Sequence, residues 1–391
     1  MPPALALAKQ TALQRPPYAE ARLGPNVVAV LKDGYQAYPA MLAAIEGARH
    51  TICLETYILR DDDIGLRFLG ALMERARAGV EVLLMYDFWG SQVSEATLAE
   101  VRSAGVKVLV FKPMRFLADP LGRLLAKARR RNHRKSLVVD GAVGFTGGLN
   151  ISTDYAAVVD GGAGWRDTHV RIDGPDAQAL ERLFLRTWKD QRGPAYDTSR
   201  FVRPRVAGCE KLRVVGNDFA LDRKGIRRAY EDAFARATSH VYLTHAYFLP
   251  PAKMLKALVA AARRGVRVAV ILAATTDVKL VLYAARGLYP RLLKNRIEVY
   301  EWRAGRVLHA KTAVADGRWC TIGSSNLDPL SLRQNLEVNA IITESSLCQA
   351  MERLFLDDLS HCERVTMAEV RRYGLVQRLL SWFAFRLRHW L

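Results

Sequence analysis

Two stretches of this chain carry the same polar residues in the same order: HRKSLVVDGAVGFTGGLN from His133 to Asn150, and HAKTAVADGRWCTIGSSN from His309 to Asn326. His133, Lys135, Asp140, Gly141, Gly147 and Asn150 align with His309, Lys311, Asp316, Gly317, Gly323 and Asn326. With Val138 and Val314 these make seven identities in eighteen positions. A duplicated structural unit needs apolar spacing and turn glycines; it has no need to repeat a histidine, a lysine and an asparagine. Those residue types suit a small anion with oxygens on several sides, such as a phosphodiester. Lysine ammonium and asparagine amide groups donate to anionic oxygens. An imidazole, with a pKa near ~6.5, can act as nucleophile or as proton donor. Two imidazoles at one phosphorus divide the work, one attacking while the other protonates the leaving alkoxide. Proton transfer of this kind is worth about 10²- to 10⁴-fold. A single histidine on a strand is ordinarily a partly buried residue of no chemical consequence, but that explanation would have to hold twice in register.

The flanks predict the elements that position these groups. In the first half HTICLETYI (50 to 58) reads as a strand, LRFLGALMERARAG (66 to 79) as an amphipathic helix and VEVLLMYD (80 to 87) as a buried strand. HVYLTHAYF (240 to 248), AKMLKALVAAARRG (252 to 265) and VRVAVILA (266 to 273) repeat that order in the second half. Each helix ends on a glycine and hands over to a Val-rich strand, the pattern of a helix C-cap followed by a sheet strand. LVVDGAVGFTGG and AVADGRWCTIGS then alternate strand, Asp-Gly turn and strand. Each His-Lys pair opens a hairpin, and residues two apart on a strand face the same side. The expected architecture is a bilobal α/β protein with internal pseudo-twofold symmetry, its two half-sites meeting at the axis. Domain limits follow: an extension over 1–25, lobes over 26–195 and 209–365, a Gly-, Pro- and Arg-rich linker over 196–208, and a basic amphipathic segment over 366–391.

Composition bounds the partners. The 391 residues are half hydrophobic and a quarter charged, as in a folded globular protein long enough for two domains. Lys and Arg number 58 against 39 Asp and Glu, a net +19 that predicts an anionic partner, nucleic acid or an acidic membrane. Cys53, Cys209, Cys320, Cys348 and Cys362 are scattered without CxxC spacing, which argues against a disulfide framework or a zinc site and for a reducing, cytosolic environment. Neither a Walker phosphate loop nor an HExxH zinc pattern occurs. The first 25 residues lack the layout of a signal peptide, and no window approaches the roughly 20 apolar residues that span a bilayer. If a membrane is involved, the protein is expected to lie on it.

Both stretches resemble the paired HxKxxxxD motifs of the phospholipase D superfamily. LETYIL (54 to 59), FTGGLN (145 to 150), WRDTHVRIDGP (165 to 175) and GSSNLDPLSLRQNLEVN (323 to 339) are similar to its cardiolipin synthase branch, over roughly Val27 to Ile342. The resemblance implies two pseudo-symmetric phospholipase D-like α/β sandwich lobes with the active site at their interface. It implies a covalent phosphatidyl-histidine intermediate, no metal and no other cofactor. The reaction would pass a phosphatidyl group from one phosphatidylglycerol to another and release glycerol, with ping-pong kinetics. Such a bacterial enzyme without N-terminal transmembrane helices would be peripheral, on the cytoplasmic face of the inner membrane. By the motif match, His133 is the nucleophile and His309 the acid and then base, while Lys135, Lys311, Asn150 and Asn326 bind phosphate. Asp140 and Asp316 complete the catalytic motifs or support their hairpins. Asp167 and Glu337 look like the acidic partners that orient the histidines, and Glu55 adds to the pocket rim. The sequence departs from the pattern at Leu330, where relatives commonly place arginine.

Two further segments read as lipid-facing. Phe111 to Lys135 holds nine basic residues and one acid, Asp119, interleaved with Phe116, Leu117, Leu121, Leu124 and Leu125. Residues 369 to 391 mix five arginines with Trp382, Phe383, Phe385 and Trp390, the composition of a basic helix that either lies in the headgroup region or packs on the domain. The same motifs are compatible with a hydrolytic phospholipase D or a nuclease. The apolar residues near the site favour lipid over nucleic acid, and two intact motifs argue against a lipid-binding module without activity.

Overall fold

Val-rich segments that follow glycine-ended helices become the strands of two sheets. The computed structural model describes residues 15–112, 130–204, 207–217, 224–276 and 278–386. Strands β1 (Ala19–Leu23), β2 (Asn26–Lys32), β3 (Thr51–Thr56), β4 (Glu81–Asp87), β5 (Lys107–Phe111), β6 (Ser136–Val139), β7 (Val143–Gly147) and β8 (Thr168–Asp173) form the first, ordered β1-β2-β8-β7-β6-β3-β4-β5. The second contains β9 (Leu212–Gly216), β10 (His240–His245), β11 (Arg267–Ala273), β12 (Glu298–Trp302), β13 (Lys311–Ala315), β14 (Trp319–Gly323), β15 (Val338–Ile342) and β16 (Cys362–Arg364), ordered β16-β12-β11-β10-β13-β14-β15-β9. From β2 to β5 and from β9 to β12, seven strands recur in the same spatial order. In both sheets one trio is parallel and the remaining pairings are antiparallel. Only the added edges differ, β1 on one and β16 on the other.

The helices are α1 (Asp33–Glu46), α2 (Asp63–Arg77), α3 (Glu95–Ser103), α4 (Ala177–Asp190), α5 (Gly225–Arg236), α6 (Ala252–Arg263), α7 (Lys279–Lys294), α8 (Pro329–Arg333), α9 (Ser345–Leu359), α10 (Met367–Arg372) and α11 (Leu375–Arg386). Helix α2 starts three residues before the apolar stripe predicts, because the Asp62 side chain accepts the Gly65 N–H and caps it there. Its buried stripe is Ile64, Phe68, Leu69, Leu72 and Met73; that of α6 is Met254, Leu255, Leu258, Ala261 and Ala262. Gly79 and Gly265 follow the two helices with φ of 87° and 92°, the left-handed conformation that lets the chain turn straight into β4 and β11.

Helices α1, α2 and α3 cover one face of the first sheet, and α5, α6 and α7 one face of the second. Helix α4 covers part of the first sheet's other face. Between the halves, Leu23, Val28, Val30, Val170 and Ile172 pack into one cluster with Val314, Cys320, Ile322, Ala340 and Ile342 and with α9. The lobes therefore share a core, and each of its Leu, Val and Ile side chains contributes roughly 1.5–3 kcal/mol by leaving water. Ahead of the second lobe, Tyr196 and Phe201 pack against the cluster of Phe184 and Trp188, so this stretch of the connection lies on the first lobe. Most of the basic stretch expected to meet lipid, 113–129, lies outside the described residues. Among the described residues no helix is long and apolar enough to cross a membrane.

Candidate active site

The chain enters each motif along the other lobe. An isolated bridge pairs Asn132 with Leu336, and its counterpart pairs Leu308 with Arg166. The His133 N–H donates to Leu336 O at 3.0 Å and the His309 N–H to Arg166 O at 2.8 Å. These pairs obey the pseudo-twofold, with Asn132 and Leu308 equivalent and Leu336 and Arg166 equivalent. The residue after each acceptor is an acid, so the carboxylates cross over. Nδ1 of His133, in the first lobe, donates to Glu337 Oε1 of the second at 2.9 Å, and Nδ1 of His309 donates to Asp167 Oδ2 of the first at 2.6 Å. Each Nδ1 is thereby occupied, leaving Nε2 as the ring atom for other chemistry.

Both carboxylates are buried and held. Ser324 Oγ donates to Glu337 at 2.5 Å, and Asp167 Oδ1 accepts the Thr168 N–H at 2.7 Å. Burial pushes the Asp167 carboxyl up to about 6 against the pull of Lys311. Gly148 is what lets it in, since a Cβ at that position would stand 2.1 Å from Asp167 Oδ1. The motif glycines Gly147 and Gly323 serve a matching purpose: a Cβ would collide with His169 on β8 or Asn339 on β15.

Lys135 and Lys311 each turn back to donate to the carbonyl of the histidine two residues before, Lys135 at 2.6 Å. Burial lowers Lys135 to about 7; Glu337 and Asp167 oppose the shift and Lys311 adds to it. Burial also lowers His133 below its ordinary value, with Glu337 opposing and both lysines assisting. Groups from both lobes therefore act on one another across a single buried site.

The surroundings of the two histidines differ. Tyr57 meets His133 edge to face with centroids 4.9 Å apart. His309 lies between Tyr155 and Trp165, at 5.2 and 5.9 Å, and the Tyr155 hydroxyl is 3.5 Å from its Nε2. Asn150 donates to the Tyr155 hydroxyl at 2.7 Å and accepts the Ile58 N–H at 3.0 Å, so its amide is largely engaged by the protein. Asn326 is buried and its Oδ1 has no hydrogen-bond partner among the described residues. Tyr155 escapes sequence reasoning, while Tyr57, Trp165 and Ser324 lie inside LETYIL, WRDTHVRIDGP and GSSN without standing out as site residues. Tyr155 has no duplicate: five residues after Asn326 stands Ser331. Two buried histidines also escape sequence reasoning: His169 on β8, opposite Gly147 of β7, and His245, paired with Lys311 across β10 and β13. Their ring nitrogens have no hydrogen-bond partner among the described residues, and burial drives them down to about 4 and about 3.

Asp140 and Asp316 do not belong to a catalytic set. They sit at the hairpin tips, at the far end of β6 and β13 from the histidines, with φ of 53° in each case. The Asp140 carboxylate accepts the N–H groups of Arg49, His50 and Thr51 at 2.8–2.9 Å, and that of Asp316 accepts Thr238, Ser239 and His240 at the same distances. They lock the turn to the start of β3 and of β10. Glu55 is not on a rim; it is buried, accepting Asn132 Nδ2 at 2.9 Å and Ser136 Oγ at 2.8 Å. Leu330 lies in the short helix α8, half-buried.

The family model described as "Cardiolipin synthase, PLD-like domain" matches residues 41–188 and 230–359. The chain is similar to the cardiolipin synthase of Geobacillus kaustophilus (strain HTA426), 35% identical over 366 residues that make up 90% of this chain and 71% of that protein. It is also similar to the probable cardiolipin synthase YwiE of Bacillus subtilis (strain 168), 30% identical over 91% of this chain and 71% of the other. Among solved structures, phosphatidylserine synthase of Haemophilus influenzae Rd KW20 shares the fold with a TM-score of 0.70 at 14% identity, covering 93% of this chain and 95% of that one.

Proposed function

The chain belongs to the phospholipase D-like cardiolipin synthase family, and from that premise we propose that it moves a phosphatidyl group from one phosphatidylglycerol to another and releases glycerol. The observation that carries this reading is the pair of crossed His–carboxylate contacts, His133 with Glu337 and His309 with Asp167, beside two buried lysines. In the first step Nε2 of His133 attacks phosphorus and the bond to the departing glycerol oxygen breaks. His309, protonated, gives its Nε2 proton to that oxygen. The phosphorylated ring carries positive charge, which Glu337 balances through Nδ1–H. In the second step neutral His309 takes the hydroxyl proton of the acceptor phosphatidylglycerol, whose oxygen attacks phosphorus and frees His133. One phosphodiester replaces another, so the exchange is close to neutral in energy and needs no nucleotide.

Two features support this order of roles. His133 is held below its ordinary pKa, which favours the neutral ring a nucleophile needs. His309 has the 2.6 Å contact to Asp167, which favours the imidazolium an acid needs. Lys135, Lys311, Asn326 and the second Nδ2 hydrogen of Asn150 hold the phosphate oxygens in this reading, the lysines exchanging their carbonyl contacts for the anion. The lobes are taken as 26–195 and 209–365, and the enzyme as peripheral to the cytoplasmic face of a bacterial inner membrane.

The deciding experiment supplies purified protein with phosphatidylglycerol vesicles and identifies products by mass. Cardiolipin and glycerol are expected. Phosphatidic acid would make water the acceptor and the enzyme a hydrolase, and no phospholipid product at all would sink the reading.

The pH dependence has a definite sign. Attack requires His133 without its second proton, and its pKa is lowered, so the acid limb of kcat/KM should fall below the ordinary ~6.5. Phosphate capture requires Lys135 protonated, which the free site maintains only below about 7. We therefore expect kcat/KM to decline as pH rises through about 7, while kcat declines at higher pH because bound anion raises the lysine pKa. A kcat/KM that stays flat from about pH 6 to about pH 9 would remove Lys135 from phosphate capture.

A further inference from the structure

Helix α11 is docked by its narrow edge. Ser381 and Ala384 are buried and Phe385 half-buried against α7, where Gly287 permits the approach: a Cβ there would lie 2.8 Å from Ser381 O and 3.1 Å from Phe385 Cβ. Ala384 joins Leu249, Val281 and Ala284 in a small cluster edged by Tyr247, Tyr283 and Phe385. The opposite face points outward. Leu375, Val376, Leu379, Leu380, Trp382 and Phe383 are 76, 72, 65, 41, 58 and 55% exposed. At about 100° per residue they fall on one side, away from Ser381 and Ala384. Fifteen large hydrophobic side chains are exposed among the described residues, and six belong to these twelve residues. A surface helix ordinarily turns such a stripe inward, so this one awaits an apolar phase.

Its charges say which phase. Arg371, Arg372, Arg378 and Arg386 are exposed over residues 365–386, where Glu369 is the lone acid and is tied to Thr366 in a capping box. The Arg386 guanidinium lies 4.8 Å from the Trp382 ring centroid. Apolar and aromatic side chains ringed by arginine are what an anionic bilayer surface binds, acyl boundary below and phosphates beside. A second copy of the chain would bring arginine against arginine and two bodies of +19 together. The helix also ends beside the chemistry. Tyr247 and Leu249 follow β10, and the Leu249 N–H donates at 2.7 Å to the carbonyl of Leu327, the neighbour of Asn326.

We propose that the outward face of α11 beds in the headgroup region of an anionic bilayer and sets the second half-site at the lipid surface. The inference rests on the phospholipid reading above and names the surface that reading requires. The test uses the full chain with Leu379→Glu, Trp382→Glu and Phe383→Glu combined, all at exposed positions. Co-sedimentation is measured with vesicles of phosphatidylglycerol, of phosphatidylserine and of phosphatidylcholine, and turnover with short-chain phosphatidylglycerol dispersed below its micellar threshold. The unaltered protein is expected on both anionic vesicles, and the variant to bind them at least about tenfold more weakly with unchanged turnover of dispersed substrate. Replacing the four arginines by glutamine should weaken the same binding and flatten its salt dependence, which keeps the test independent of any one variant's folding. Undiminished vesicle binding by both variants would overturn the proposal, as would conversion of a dimer to a monomer with vesicle binding intact. Binding to phosphatidylserine reports the surface even if phosphatidylglycerol is not turned over, so failure of the function and failure of the surface read out separately.

Discussion

His133→Ala abolishes turnover and leaves no label on the protein, whereas His309→Ala slows turnover by about 10²- to 10⁴-fold and accumulates radiolabelled phosphatidyl group on His133. This is the expected outcome with the largest effect, and its asymmetry is what matters. Loss of the nucleophile removes the covalent route altogether. Loss of the acid leaves attack possible but forces glycerol to depart as a poor leaving group, and it also leaves the adduct without a base to activate the acceptor. Phosphatidyl label recovered from acid-quenched protein, mapped by peptide mass, reads the difference. Label on His309 in the His133→Ala protein would exchange the two roles. Near-normal rates in both variants would end the two-histidine mechanism.

The second large effect tests the crossing. Asp167 shares a lobe with His133 but touches His309, at 2.6 Å. Asp167→Asn should therefore behave as a weak version of His309→Ala: slow turnover, with label retained on His133. Glu337→Gln should behave as a weak version of His133→Ala, with little label, although Glu337 shares a lobe with His309. Each amide loses the charge that balances an imidazolium and can present the wrong hydrogen-bonding face to Nδ1, and losses at the lower end of the range, about 10²-fold, are expected. Pre-steady-state labelling and steady-state rates on the two variants suffice. If Asp167→Asn lost the label and Glu337→Gln kept it, the functional pairing would run within lobes rather than between them.

The order of strands and helices was legible because burial enforces a period. The stripes of α2 and α6 are local facts, β6, β7, β13 and β14 are short runs buried almost throughout, and Asp140-Gly141 and Asp316-Gly317 announce their turns by residue type. What joins sequence-distant residues was not legible. The acids Asp167 and Glu337 stood out as candidates, but the assignment of each to the other lobe's histidine spans 142 and 204 residues, and no spacing rule reaches that far. Asp140 and Asp316 left two readings open, and the structure takes the hairpin one. An acid repeated in a motif invites a chemical role, yet the repeat here preserves three N–H contacts at a hairpin tip. Tyr155 was hidden because duplication was the main signal and it belongs to one half alone, and Trp165, though inside WRDTHVRIDGP, gave no sign of its place against His309.

The crossed pairs also govern when a growing chain acquires its chemistry. The first motif leaves the ribosome early, but His133 has no carboxylate at its Nδ1 until residue 337 has been made and β15 has closed its sheet. Asp167, made early, likewise waits for His309. Because both halves lie on one chain, their joining is intramolecular and does not depend on protein concentration. A product ending between Asp167 and His309 would carry one whole motif and one of the two carboxylates, yet neither His–carboxylate pair.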